Sequence, residues 1–138
     1  MKVLIDTNII LDFILKREPY YRSAAKINIL SEKRYITAFI SASAVTDIYY
    51  IAKRELKSKG KAIELLKNLL KIIYIASVTA DNIHEALDLK WDDFEDSVQY
   101  ISGKSISADY IITRNPKDFE NSQIKVISPD EFLNQITS

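Results

Sequence analysis

Short apolar runs alternate with longer segments in which apolar residues recur every three or four positions, from one end of the chain to the other. Val3-Leu4-Ile5 is the first run, β-branched and uncharged, and reads as a buried strand. Asp6, Thr7 and Asn8 interrupt it, and a helical segment, Ile9–Leu15, begins at once. Glu18-Pro19 breaks that segment, because proline disfavours helix at the residue before it. Tyr21–Lys33 places Ala24, Ile27 and Leu30 at helical spacing, and Tyr35–Ile40, aromatic and β-branched, predicts a second strand. Ser41 and Ser43 are candidate N-caps for a helix running through Tyr49 to about Leu56. Its core stripe is Val45, Ile48, Tyr49, Ala52 and Leu56, and Asp47 lies well away from it, with Tyr50 and Ile51 as neighbours one turn on.

Gly60 punctuates the chain before an amphipathic helix, Lys61–Leu70, built on Ile63, Leu66 and Leu70. Ile72–Ile75 predicts a third strand. Asp81 opens a helix that buries Ile83, Ala86, Leu87 and Trp91. Phe94, Val98 and Ile101 form the stripe of the next helix, which Gly103 ends. Ala108–Ile112 is a fourth apolar strand, followed by a turn at Asn115-Pro116. Lys125–Ile127 is a last strand, and Pro129 opens a final helix over Asp130–Ile136. Strands alternating with helices predict one α/β domain over residues 1–138 with a largely parallel central sheet.

Composition narrows what such a domain can do. At 138 residues the chain suits a single well-cored domain. Two glycines leave no Gly-rich phosphate loop, and the absence of cysteine removes thiol nucleophiles, disulfides and Cys-ligated zinc. The single histidine, His84, reads as a helix-surface residue. No signal peptide and no apolar stretch of membrane-spanning length is visible, so a cytoplasmic protein away from membranes is expected. Nineteen basic residues balance nineteen acidic ones, but unevenly along the chain. Lys53, Arg54, Lys57, Lys59, Lys61, Lys67 and Lys71 form a basic block, and Asp88, Asp92, Asp93, Glu95 and Asp96 an acidic one. Charge runs of this kind also occur as plain solvated helix faces.

Two predicted strands end in carboxylate-bearing loops, at Asp6 and Asp118, and two helices carry off-stripe aspartates near their starts, at Asp47 and Asp96. In a parallel sheet those ends gather on one edge. Carboxylates crowded there repel one another, and a hard divalent cation relieves the repulsion; oxygen donors without Cys or His suit Mg²⁺ or Mn²⁺. Such a site serves phosphoryl-ester hydrolysis. Thr7, Asn8, Thr113 and Asn115 are placed to orient the carboxylates and bound waters. Simpler readings stand beside this one. Asp47 also fits a surface acid worth roughly 0.3–1 kcal/mol through the helix dipole, and Asp92, Asp93 and Asp96 fit a dipole-matched helix start.

Three stretches, Leu4-Ile-Asp-Thr-Asn8, Phe94-Glu-Asp-Ser-Val98 and Ile111-Ile-Thr-Arg-Asn-Pro-Lys-Asp-Phe119, together resemble the PIN domain, in particular the small VapC-like ribonuclease toxins of toxin–antitoxin pairs. Their order and spacing span nearly the whole chain. The resemblance implies a sheet of about five parallel strands flanked by helices, and an Mg²⁺- or Mn²⁺-dependent endoribonuclease. It also implies an RNA substrate, an antitoxin partner and a homodimer. Carried onto this chain, the catalytic and metal-binding acids are Asp6, Asp47, Asp96 and Asp118, with Asp93 as an auxiliary acid and Thr113 and Asn115 at polar positions near the metal. The family's second acid is usually glutamate, and here the matching helix offers Asp47. That departure keeps open a non-catalytic PIN-like module that binds RNA or a protein, beside a PIN nuclease of RNA processing or DNA flap cleavage that has no antitoxin. Asn8, where a second aspartate would stand, argues against a haloacid-type phosphatase.

Overall fold

The computed structural model describes residues 1–137. Five strands, β1 (Lys2–Ile5), β2 (Thr37–Ser41), β3 (Tyr74–Ala76), β4 (Tyr110–Ile112) and β5 (Lys125–Ile127), form one sheet in the order β3-β2-β1-β4-β5, every neighbouring pair parallel. Seven helices connect and cover them: α1 (Thr7–Ile14), α2 (Tyr21–Glu32), α3 (Ala42–Leu56), α4 (Lys59–Leu69), α5 (Ala80–Leu89), α6 (Phe94–Ser105) and α7 (Pro129–Thr137). A 3₁₀ turn over Pro116–Phe119 follows β4.

The uninterrupted apolar strands follow from burial on both faces, the usual condition of a parallel sheet. Val3 and Ile5 of β1, Ala38 and Ile40 of β2 and Ile112 of β4 join one core with residues of α1, α2, α3, α4 and α7. Leu4 and Ile111 point the other way and pack with Ala86, Val98, Ile101 and Phe119. One core is therefore closed by five helices and the other by α5, α6 and the 3₁₀ turn.

Several boundaries differ from those the sequence predicts. Tyr35 is 70% exposed and precedes β2, which begins at Thr37. Ile72 and Ile73 belong to the turn before β3, although both pack into the larger core. Gly60 lies inside the first turn of α4, whose N-cap is Ser58, its hydroxyl accepting from the Lys61 N–H. Thr79, not Asp81, caps α5, in a reciprocal capping box with Asn82. Leu87 and Phe94, expected in the core, are exposed. Gly103 does not end α6. It lies two residues inside the helix, where an added Cβ would come within 3.2 Å of the Ile124 side chain, so its missing side chain lets α6 press onto the segment before β5.

Strand order reverses between β1 and β4, and register sets Ile5 beside Ile112. Ligand crevices in open α/β sheets form beyond the carboxyl ends of the strands at such a switch point. The residues that leave this edge are Asp6 and Thr113. The 3₁₀ turn is pinned by Phe119, 2% exposed and edge-on to Trp91. Phe119→Ala should therefore cost about 3–5 kcal/mol, read as a lower urea midpoint. A loss below ~1 kcal/mol would show that Phe119 does not anchor this turn.

Candidate active site

Asp6 is the N-cap residue of α1, yet its side chain makes no capping bond. The carboxylate instead accepts two hydrogen bonds across the sheet edge. Gln99 Nε2 of α6 donates to Oδ1 at 3.0 Å, and Thr113 Oγ1 donates to Oδ2 at 2.9 Å. Thr113 Oγ1 in turn accepts from the Asn115 backbone N–H at 3.2 Å. Asp6 and Thr113 are buried, and the Asp6 N–H closes the β1–β4 ladder on Ile112 O. Backbone register and two neutral donors thus fix both oxygens.

Around this acid opens a cleft of about 450 Å³. Its walls bring together Asp6, Thr7 and Asn8 from the start of α1, Asp47 from α3, Asp93 and Asp96 from α6, and Asp118 from the 3₁₀ turn. All four predicted acids therefore line one cavity. Thr113 lies behind Asp6, and Asn115 acts on it through its backbone. Asp93 is the N-cap of α6, its Oδ1 accepting from the Asp96 N–H at 3.1 Å, so it orients the helix that presents Asp96. Asp47 lies just inside α3, whose N-cap is Ser41, its hydroxyl accepting from the Ala44 N–H. Glu55, further along α3, is turned away and pairs with Arg17 at 2.8 Å.

Glu95 and Gln99 were not singled out from the sequence, and both line the cleft. Glu95 faces Asp47 closely enough to hydrogen-bond with it, and Thr7 Oγ1 lies 3.5 Å from Glu95 Oε1, at the outer edge of hydrogen-bonding range. Gln99 was legible in principle, as an uncharged polar residue one turn after Asp96 on a helix that buries it. The partner of Glu95 lies 48 positions earlier in the chain, and no local pattern announces it.

The electrostatics of the cleft are one-sided. No lysine or arginine is among its lining residues. Burial, the Asp47 hydrogen bond and the charges of Asp47, Asp93 and Asp6 push Glu95 up to about 7. Burial and then Asp93, Asp6 and Asp118 push Asp96 up to about 7. Among the described residues no three acids or histidines yet close into a metal-binding group. The donor chemistry nevertheless fits a hard divalent cation, since every acidic wall residue offers oxygen and none is neutralised by a protein cation.

Behind the site, Asp12 is 1% exposed and lies 3.1 Å from Arg114 Nε, close but not aligned as a hydrogen bond. The Arg114 guanidinium stacks 4.0 Å from the Tyr20 ring centre. This pair ties α1 to the strand-end loop that carries Thr113 and Asn115.

The PIN domain family model matches residues 2–117, and the chain belongs to that family. No curated protein sequence matches it. Among solved structures it is similar to VapBC2 from Rickettsia felis bound to a promoter DNA fragment, at 19% identity and a TM-score of 0.71, covering 93% of this chain and 98% of that one. It is similar also to DNA-bound VapBC from Salmonella typhimurium, at 15% identity and a TM-score of 0.72, covering 94% and 98%. A third is VapC20 of Mycobacterium tuberculosis, described as a sarcin-ricin loop cleaving toxin, at 13% identity and a TM-score of 0.65, covering 79% and 86%. At these identities the likeness is one of fold.

The raised carboxyls give the folded state a pH dependence whose sign is fixed. Between the ordinary values of 4.5 for Glu95 and 3.8 for Asp96 and their values of about 7, the folded protein holds more protons than the unfolded chain. Stability then falls as pH rises through that window. In chelator, Tm should drop from about pH 5 to about pH 7, and Asp96→Asn should flatten the drop. A wild-type Tm that rises over this window would contradict the crowding of these acids.

Proposed function

We propose that this chain is a divalent-metal-dependent endoribonuclease that hydrolyses RNA phosphodiester bonds, and that it is the toxin of a VapC-like toxin–antitoxin pair. One observation carries the nuclease reading: acids from α1, α3, α6 and the 3₁₀ turn meet in a cleft whose lining has no basic side chain. Family membership supports it. The toxin reading draws on the neighbours: several are toxin–antitoxin complexes, including one from Klebsiella pneumoniae.

Asp6, Asp96 and Asp118 would hold the ion, Mg²⁺ or Mn²⁺, with Asp47 reaching in from α3. Such an ion, when bound, lowers the pKa of a water and offsets charge on the attacked phosphate. Gln99 and Thr113 keep Asp6 oriented, each donating to one of its carboxylate oxygens. Asp93 fixes the first turn of α6 and with it Asp96. Thr7 and Asn8 at the start of α1 place a hydroxyl and an amide beside the cleft, where they can orient water or a phosphate oxygen. Glu95, pushed up to about 7 by burial and then by Asp47, can carry a proton near neutral pH, as a general acid or base requires. The same reading makes the protein cytoplasmic and a homodimer, with an antitoxin covering the cleft. An inhibitor entering so acidic a space would sensibly insert Arg or Lys.

The same nuclease could serve RNA processing without an antitoxin. A non-catalytic RNA- or protein-binding module is the other reading, kept in view by Asp47 standing where the family usually has glutamate. Cleavage assays separate these. RNA cleavage should require Mg²⁺ or Mn²⁺, stop in chelator, and fall by roughly a hundredfold or more in Asp6→Asn and Asp96→Asn. Equal cleavage by wild type and both variants would mean a contaminating nuclease and sink the assignment. If folded wild type neither binds Mn²⁺ in a calorimetric titration nor cuts a broad RNA panel, the binding-module reading replaces it. Asp47→Glu should change Mn²⁺ affinity if position 47 is a ligand, and leave it unchanged if not.

A further inference from the structure

One face of α3 continues beyond the cleft. Asp47, Tyr50, Lys53 and Arg54 follow one another at helical spacing, Lys57 is the left-handed C-cap residue just beyond, and Tyr50, 65% exposed, lines both the acidic cleft and an adjoining groove of about 470 Å³. The groove is walled by Lys53, Arg54, Lys57 and Lys59, all exposed and none ion-paired among the described residues. The one acid near the end of α3, Glu55, is drawn to Arg17 on the other side.

Helix stability accounts for only part of this. Lys53 and Arg54 in the last turn of α3 complement its dipole. Lys59 does the reverse, standing in the first turn of α4, where a cation opposes the helix's positive end. Nor does α3 need Tyr50 outside the core; its ring is held edge-on by Tyr49 at 5.1 Å, upright at the junction of the two cavities. An exposed aromatic followed by cations over about 10 Å of helix axis is the arrangement that grips a single strand, one base stacked and its neighbouring phosphates neutralised.

We propose that this face of α3 is a single-stranded RNA track: the strand crosses Tyr50, on which a base stacks, and its backbone runs over Lys53, Arg54, Lys57 and Lys59. The track supplies the grip on phosphate that an all-acidic cleft lacks. It selects unpaired RNA, because a base must leave its own stack to reach the ring. The inference rests on the nuclease reading for its substrate, so binding is measured apart from cleavage.

The probe is a fluorescent 2′-O-methyl oligonucleotide of about ten nucleotides, which cannot be cut through its 2′-hydroxyls, titrated by anisotropy with the full chain in chelator. Tyr50→Leu should weaken binding by roughly tenfold and Tyr50→Phe should restore most of it. Combined Lys53→Ala, Arg54→Ala and Lys57→Ala should lower the log–log salt slope by about two. Removing Arg22, Lys26 and Lys33 from α2 should leave the slope unchanged. Wild-type binding that neither Tyr50→Leu nor the α3 triple variant alters overturns the track, as does no binding by wild type. A light-scattering mass that halves in the α3 variant while RNA affinity holds would assign this face to a second copy of the chain, and equally overturns it. Binding with the expected dependences but no cleavage with Mg²⁺ or Mn²⁺ would remove the nuclease reading and leave the track standing.

Discussion

The structure depends on a repulsion it does not resolve by itself. A parallel sheet delivers the ends of its strands to one edge, and here that edge receives carboxylates from β1, α3, α6 and the turn after β4. Two like charges about 4 Å apart cost on the order of 4 kcal/mol at the effective dielectric near a protein surface. Cores on both faces of the sheet hold these strand ends in place, with Val3, Leu4 and Ile111 fully buried. In the cleft, local chemistry and folding stability pull in opposite directions, and such conflicts gather at functional sites.

How the chain distributes its arginine is informative. Thr113 and Arg114 are adjacent, but they leave the end of β4 in opposite directions. Thr113 gives a neutral hydrogen bond to Asp6, whereas Arg114 gives its charge to Asp12. Two buried acids six residues apart thus receive different treatment. Asp12 is neutralised within the protein and becomes a structural tie. Asp6 is oriented by two neutral donors.

The alternation of elements was legible because it is written in period: two for half-buried strands, 3.6 for helices, and continuous apolar runs for strands covered on both sides. The five strands, the N-cap at Ser41 and the convergence of Asp6, Asp47, Asp96 and Asp118 on one edge all follow from that pattern together with the parallel topology. The misread positions share a cause. Gly103 resembles a helix stop, and only the nearness of Ile124 shows that it is a packing glycine. Leu87 and Phe94 fit their helical stripes, but each stripe is wider than the surface available to cover it. Glu95 and Arg114 take their meaning from partners 48 and 102 positions away, and spacing within a helix carries no record of such partners.

The Asp47–Glu95 pair shows how an acid on α3 is met across the cleft by a longer one on α6. An aspartate on α3 falls one methylene short of the usual glutamate. α3 packs against α6, and from α6 the longer Glu95 reaches back toward Asp47, whose nearness helps to raise the Glu95 carboxyl. What spans the cleft is then set by the sum of two side chains rather than by either alone. Reading position 47 by itself makes the site look degraded. Reading it with Glu95 shows an acid opposite α6 held by a partner, at the point where the acidic cleft gives way to Tyr50 and the cations beyond it.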